Sequence, residues 1–163
     1  MFPERDHAEV ERLRAKWDPL AARVPAHITI AYPFDWPGPV HALVDRLSPA
    51  LAACPPFKFD LSAPTVWEDE YLFLLVGHGR EAVQRLHESI YALALPDVRQ
   101  PTTFVPHMTI GRSADKTTLL TGVKEASALA LPITGTARRL TLYSRDGDER
   151  RVRDVDISFG AIA

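Results

Sequence analysis

Two short stretches carry side chains suited to acid–base chemistry: His27-Ile28-Thr29-Ile30 and His107-Met108-Thr109-Ile110. Each follows a Val-Pro lead, Val24-Pro25-Ala26 in one and Val105-Pro106 in the other, and the copies stand 80 residues apart. The chain has six His, eleven Thr and seven Ile. Shuffling that composition gives roughly 0.4 expected His-x-Thr and roughly 0.01 expected His-apolar-Thr-Ile, so two copies are not accidental. In a strand, residues i and i+2 share a face about 6.6 Å apart. His and Thr therefore point one way while Ile and Met point the other. A histidine titrates near neutrality, so one imidazole can act as base and a second as acid. Threonine hydroxyls can donate to oxygens on which charge develops. Two His and two Thr around one phosphate suit in-line cleavage of a phosphodiester.

The elements that would position these residues can be read from periodicity. Val10, Leu13 and Trp17 share one face of a helix over 6–17, with Asp6 as cap and Glu9 three residues on. Val24 to Ala31 is a β-rich run. A helix begins near Pro39 with Val40, Leu43, Val44 and Leu47 inward, and Pro49 is expected to kink or split it. Phe57, Phe59 and Leu61 alternate as a half-buried strand, and the apolar run Tyr71 to Val76 suits a more deeply buried one. The second half predicts a helix over 80–93, a strand over 106–111 and a helix over 115–129 capped by Asp115. Strands follow near 133–144 and 150–159, joined by a turn with Asp146-Gly147. Val152 is out of phase with Val155, Ile157 and Phe159, which predicts a bulge near Arg153-Asp154. The order helix, strand, helix, strand, strand thus occurs twice. The expectation is one bilobal domain over 1–163, with lobes of approximately 1–79 and 80–163.

Bulk composition narrows the partners. Net charge is −2 and the pI is about 6.3. A duplex-binding protein usually carries a basic footprint, so the balance argues against duplex DNA and for a small nucleotide or an RNA end. The single Cys54 excludes an internal disulfide and a Cys-based zinc site. Neither motif histidine has a Cys or carboxylate at ligand spacing, which disfavours a metal centre. No apolar run approaches a membrane span, and the charged start lacks a signal core. The expectation is a cytoplasmic monomer without a membrane partner.

These motifs resemble the two-histidine (2H) phosphoesterase superfamily, which includes 2′-5′ RNA ligase-like proteins and cyclic phosphodiesterases. The resembling stretches run from Pro25 to Phe34 and from Phe104 to Arg112, with Leu140 to Gly147 similar to the family's last hairpin. The resemblance implies an α+β fold of two pseudo-two-fold-related lobes, each a mainly antiparallel sheet with helices on its outer face, around a central groove. It implies acid/base roles for His27 and His107, phosphate binding by Thr29 and Thr109, and neither metal nor organic cofactor. Substrates implied are cyclic phosphates and 2′-5′ phosphodiesters of nucleotides or RNA ends.

Further candidates come from position. Tyr32 and Phe34 follow the first motif and could stack on a base. Arg112 follows the second and could steer a phosphate. Tyr143 shares a face with Thr141 and Arg139. His7, His41, His78 and His87 are expected at the surface. Two rival readings remain: a 2′-5′ RNA ligase or RNA 3′-end processing nuclease, which needs a long basic groove, and a non-catalytic nucleotide or RNA-end binding module.

Overall fold

The computed structural model describes residues 4–145 and 151–160. In chain order the elements are α1 (Glu4–Trp17), α2 (Val40–Ala52), β1 (Phe57–Trp67), β2 (Tyr71–Val76), α3 (Arg80–Leu93), β3 (His107–Arg112), α4 (Lys116–Ala126), β4 (Ile133–Ala137), β5 (Arg139–Arg145) and β6 (Arg151–Ser158). The fold is α+β with antiparallel strand pairs, as expected. No helix among the described residues is long and apolar enough to cross a membrane.

The chain forms two compact units that interleave in sequence. One comprises Met1–Thr29, Lys58–Arg80 and Val105–Thr136; the other comprises Ile30–Phe57, Glu81–Phe104 and Ala137–Ala163. The sequence halves 1–79 and 80–163 are therefore not the compact units. The reason is strand pairing: β2 from the first half pairs with β3 from the second.

The first unit holds a sheet in the order β3-β2-β1-β4. Its apolar face carries Leu72, Leu74, Met108 and Ile110, all nearly or fully buried. Helices α1 and α4 cover that face. A Cβ on Gly111 would come within 2.9 Å of the Trp17 Cβ on α1, and one on Gly122 of α4 within 2.7 Å of Leu72 Cδ2. Strand β1 changes phase at a bulge between Ser62 and Pro64. Ala63 takes φ 46° there, and Pro64 is tolerated because a bulge interrupts the ladder. Beyond it Thr65 pairs with Phe73 and Trp67 with Tyr71, putting these residues on the polar face. Glu68 and Asp69, both at positive φ, turn the β1–β2 hairpin, with Glu70 N–H donating to Trp67 O.

Helix α1 begins at Glu4, so Asp6 lies inside its first turn and does not cap it. Beside Val10 and Leu13 it buries Arg14, which is 1% exposed. The guanidinium donates to Asp18 Oδ2 at 3.1 and 2.8 Å and to Glu11 Oε2 at 2.9 Å.

The second unit holds the β5–β6 hairpin with α2 and α3. Leu43, Leu47, Leu51, Leu86, Ile90 and Phe159 form its core. Helix α2 starts after Pro39 and continues through Pro49 without splitting. Burial of Leu47, Ala50 and Leu51 around the proline holds the last turn in place. The expected strand over 133–144 breaks at Arg138 into β4 and β5, which join different sheets. Leu142 pairs with Val155 and Tyr143 with Arg153, so the expected bulge falls at Asp154. The expected Asp146-Gly147 turn lies outside the described residues. Asp115 caps α4, accepting from the Thr117 and Thr118 amides.

Two stability predictions follow from this packing. Gly111→Ala should cost about 1–3 kcal/mol by overpacking, because its neighbours are the Cβ and carbonyl of Trp17 and cannot rotate away. Gly122→Ala should cost less, since a rotatable Leu72 methyl yields and alanine gains up to about 1 kcal/mol in helix propensity. Urea denaturation of both variants measures the difference; equal losses would contradict the packing described. Arg14→Met should cost about 3–5 kcal/mol by leaving Asp18 buried without its partner, read from the same curves.

Candidate active site

The chain around His27 forms no regular strand, yet it is pinned to β3 by one antiparallel bridge between Ile28 and Met108. Extending that antiparallel register by one residue on each side sets His27 across from Thr109, and Thr29 across from His107. Ile28 and Met108 point to the other side. Opposed residues have Cβ atoms roughly 4.5–5.5 Å apart and diagonal ones about 7–8 Å. The two histidines thus occupy one diagonal of a polar quartet and the two threonines the other. All four are half-buried and belong to the first unit.

The bridge stays isolated because flanking backbone groups bind side chains instead of a ladder. Ala26 N–H donates to Glu11 Oε1 at 2.5 Å, and the Ile30 carbonyl is held by His87. Glu11 also accepts from Arg14, so a buried ion network in α1 fixes the approach to His27.

The two imidazoles are oriented by the same device. His27 Nδ1 lies 2.8 Å from the carbonyl oxygen of Pro25, and His107 Nδ1 lies 2.6 Å from that of Val105. In each case the partner is two residues upstream. A carbonyl only accepts, so in each ring Nδ1 carries the proton and the neutral tautomer keeps its lone pair on Nε2.

Their surroundings differ. The His107 ring stacks on Phe73, centroids 3.6 Å apart and planes 17° apart. Phe73 in turn stacks with Trp67 at 6.1 Å and meets Tyr71 at 5.7 Å. Because β2 lies between β3 and β1, His107 and Trp67 flank Phe73 from opposite sides. Burial lowers the His107 pKa from its ordinary 6.5; the Val105 carbonyl works against that shift, and the charge of His27 adds to it.

The other sequence candidates lie elsewhere. Arg112 ends β3, about 16 Å along the strand from His107. There it is paired with Glu70 and lies over the Tyr71 ring at 5.3 Å. Tyr32, Phe34 and Tyr143 belong to the second unit. Tyr32 is 40% exposed and its amide donates to the Tyr91 hydroxyl. Phe34 packs against the second unit's core. Tyr143 is half-buried in the hairpin, on a strand whose Thr141 donates to Asp156.

Sequence reading missed Glu11, Arg14, Phe73 and His87. The spacing Glu11-x-x-Arg14-x-x-x-Asp18 is a legible signal for an ion network along α1 and the residue that follows it. His87 was expected at the surface but is fully buried. Among the described residues, no cluster of three or more His, Cys, Asp or Glu could hold a metal ion.

Comparison with known proteins places the chain in a family and matches its fold. The family model for the 2′-5′ RNA ligase superfamily matches residues 2–149, which include both motifs. A curated protein of Geobacillus kaustophilus (strain HTA426), provisionally named a phosphoesterase, is 30% identical over 116 residues. That match takes in 68% of this chain and 64% of the relative, so the chain spans a little under two thirds of its length. Among solved structures, E. coli LigT complexed with 3′-AMP superposes with a TM-score of 0.64 at 18% identity, covering 98% of this chain and 94% of LigT. LigT in apo form gives 0.59 at 18% identity, covering 97% and 92%. At such identity the likeness concerns the fold. A family match across nearly the whole sequence, with a histidine–threonine pair in each of its two motifs, establishes that this chain belongs to the 2′-5′ RNA ligase superfamily.

Proposed function

We propose that this protein is a metal-independent phosphodiesterase acting on a cyclic phosphate, or a 2′-5′ phosphodiester, of a small nucleotide or RNA end. The observation that carries the reading is the quartet itself: two imidazoles on one diagonal, each tethered through Nδ1 to a carbonyl, with two threonine hydroxyls on the other. The nucleotide 3′-AMP held by LigT, a structural neighbour, supports a ligand of this class. The net charge of −2 suits a short substrate better than a long duplex.

In the cyclic case a water oxygen attacks phosphorus while the bond from phosphorus to one ribose oxygen breaks. His107 Nε2 takes the proton of the attacking water. His27 Nε2 gives its proton to the departing oxygen. The Thr29 and Thr109 hydroxyls donate to the non-bridging oxygens as negative charge builds there. The assignment of His107 as base rests on its packing against Phe73, which favours the neutral ring. In the reverse direction the roles exchange.

The reading is tested with 2′,3′-cyclic nucleotides and 2′-5′ dinucleotides assayed in EDTA. Wild type should turn over at least one of them. His27→Ala and His107→Ala should each lose about 10²–10⁴-fold in kcat. Full activity in either variant, or loss of wild-type activity on chelation, would overturn it. A second test uses pH. A base works only when neutral, so activity should fall with decreasing pH through the His107 pKa, which lies below 6.5. Phe73→Leu removes the stacked ring and should move this acidic limb up toward 6.5. A wild-type limb above 6.5 would refute the assignment of His107 as base.

A further inference from the structure

His87 on α3 is fully buried, and the acid–base scheme makes no use of it. Its Nδ1 lies 2.7 Å from the Ile30 carbonyl oxygen, to which it donates. Its ring stacks on Phe104 with centroids 3.8 Å apart and planes 2° apart. One helical turn on, the Tyr91 hydroxyl accepts from the Tyr32 amide at 3.3 Å. Its ring also meets that of His87 at 4.8 Å. All these residues belong to the second unit.

The sequence positions of these partners give the arrangement its meaning. Ile30 directly follows Thr29, and Phe104 stands three residues before His107. A single imidazole therefore grips the chain where it leaves the first motif and where it approaches the second. The grip has a cost: Nε2 is buried and has no hydrogen-bond partner among the described residues. Buried polar atoms are rarely left unpaired. Phenylalanine or leucine would fill this space without such an orphan. The polar edge is thus explained by the Ile30 carbonyl and the flat face by Phe104.

We infer that His87 is a positioning residue for the polar quartet: it sets the spacing of the two motif segments by bonding one through Nδ1–H and stacking on the other. Tyr91 is the second tether on the first segment. His87 does not touch substrate. Its effect passes through the backbone to His27, Thr29, His107 and Thr109, where a misplacement of about 1 Å costs on the order of 10²-fold in rate. The kinetic form of this inference rests on the phosphodiesterase reading.

The test compares His87→Asn, His87→Phe and His87→Leu with wild type. Asparagine keeps a donor near the Nδ1 position, phenylalanine keeps the stacking face, and leucine keeps neither. The readouts are kcat and KM on a 2′,3′-cyclic nucleotide, thermal melting, and the ring proton shifts of His27 and His107 by NMR. In variants folded at the assay temperature, His87→Leu should lose about 10²-fold in kcat with KM within about twofold. His87→Asn and His87→Phe should each recover part of that loss. A lower melting temperature with kcat unchanged per folded molecule would overturn the inference and leave His87 an ordinary core residue. If wild type turns over no phosphodiester, the functional reading fails by itself. The NMR shifts then decide: displaced His27 and His107 ring signals in His87→Phe support the positioning role, and unmoved signals refute it. Should every His87 variant unfold, Tyr91→Phe removes the second tether with little loss of packing. Lowered kcat, or displaced His27 ring signals, would then support the role; unchanged values in both would refute it.

Discussion

One antiparallel bridge, Ile28 to Met108, joins the two histidine–threonine motifs. Two short polar–apolar patterns far apart in sequence would otherwise be unrelated surface features. The bridge fixes their register, and register in an antiparallel pair decides which side chains share a face. A slip of one residue would turn His27 and Thr29 toward the apolar side and bring Ile28 to the polar one. The apolar residues of the motif are thus as necessary as its histidines: Met108 is buried under the helices, and that burial locks the register. The supports of the bridge come from outside the sheet. Glu11, held by buried Arg14, binds the backbone just before His27, and His87 binds it just after Thr29.

The motifs are alike in sequence and tether but not in surroundings. Both histidines give Nδ1 to a carbonyl two residues upstream. Among the described residues, only the β3 copy has a neighbouring strand on its far side, β2, and that strand supplies Phe73. Edge and interior positions in a sheet differ in this way whatever the sequence. A duplicated pattern placed once at an edge and once one strand inward therefore yields one more solvated and one more desolvated imidazole. The surroundings of the two imidazoles differ because of topology, with no change in residue type.

The quartet was legible in the sequence because its signal is local: His-apolar-Thr-apolar fixes a face by a period of two. Most elements were legible for the same reason, since Val83, Leu86 and Ile90 repeat at helical spacing and Phe57, Phe59 and Leu61 alternate. The illegible parts depend on long-range pairing. Periodicity cannot show that β2 from one half joins β3 from the other, so equal halves looked like separate lobes. It cannot show that Arg112 ends beside Glu70, because that contact follows from the pairing of β3 with β2, 42 residues apart in sequence. Nor can it show that His87, in a helix position next to Leu86, faces the core; a lone histidine reads as polar until a carbonyl is found to meet it.

The choice of a backbone carbonyl as the orienting partner has its own consequence. An ionised carboxylate beside each imidazole would favour the cation and hold both rings in the same charged state. A carbonyl fixes the tautomer and the ring plane with a weaker pull on the proton. At His107 that pull is outweighed by burial, and the ring titrates below its ordinary range. A neutral tether therefore leaves the protonation of the His107 ring to be set by its wider surroundings. Glu11 in α1 and Asp18 just after it are engaged with Arg14, and Glu11 reaches the motif through the Ala26 amide. These carboxylates are thereby committed to the Arg14 guanidinium and the Ala26 amide, and the Nδ1 partner of each motif imidazole is a backbone carbonyl.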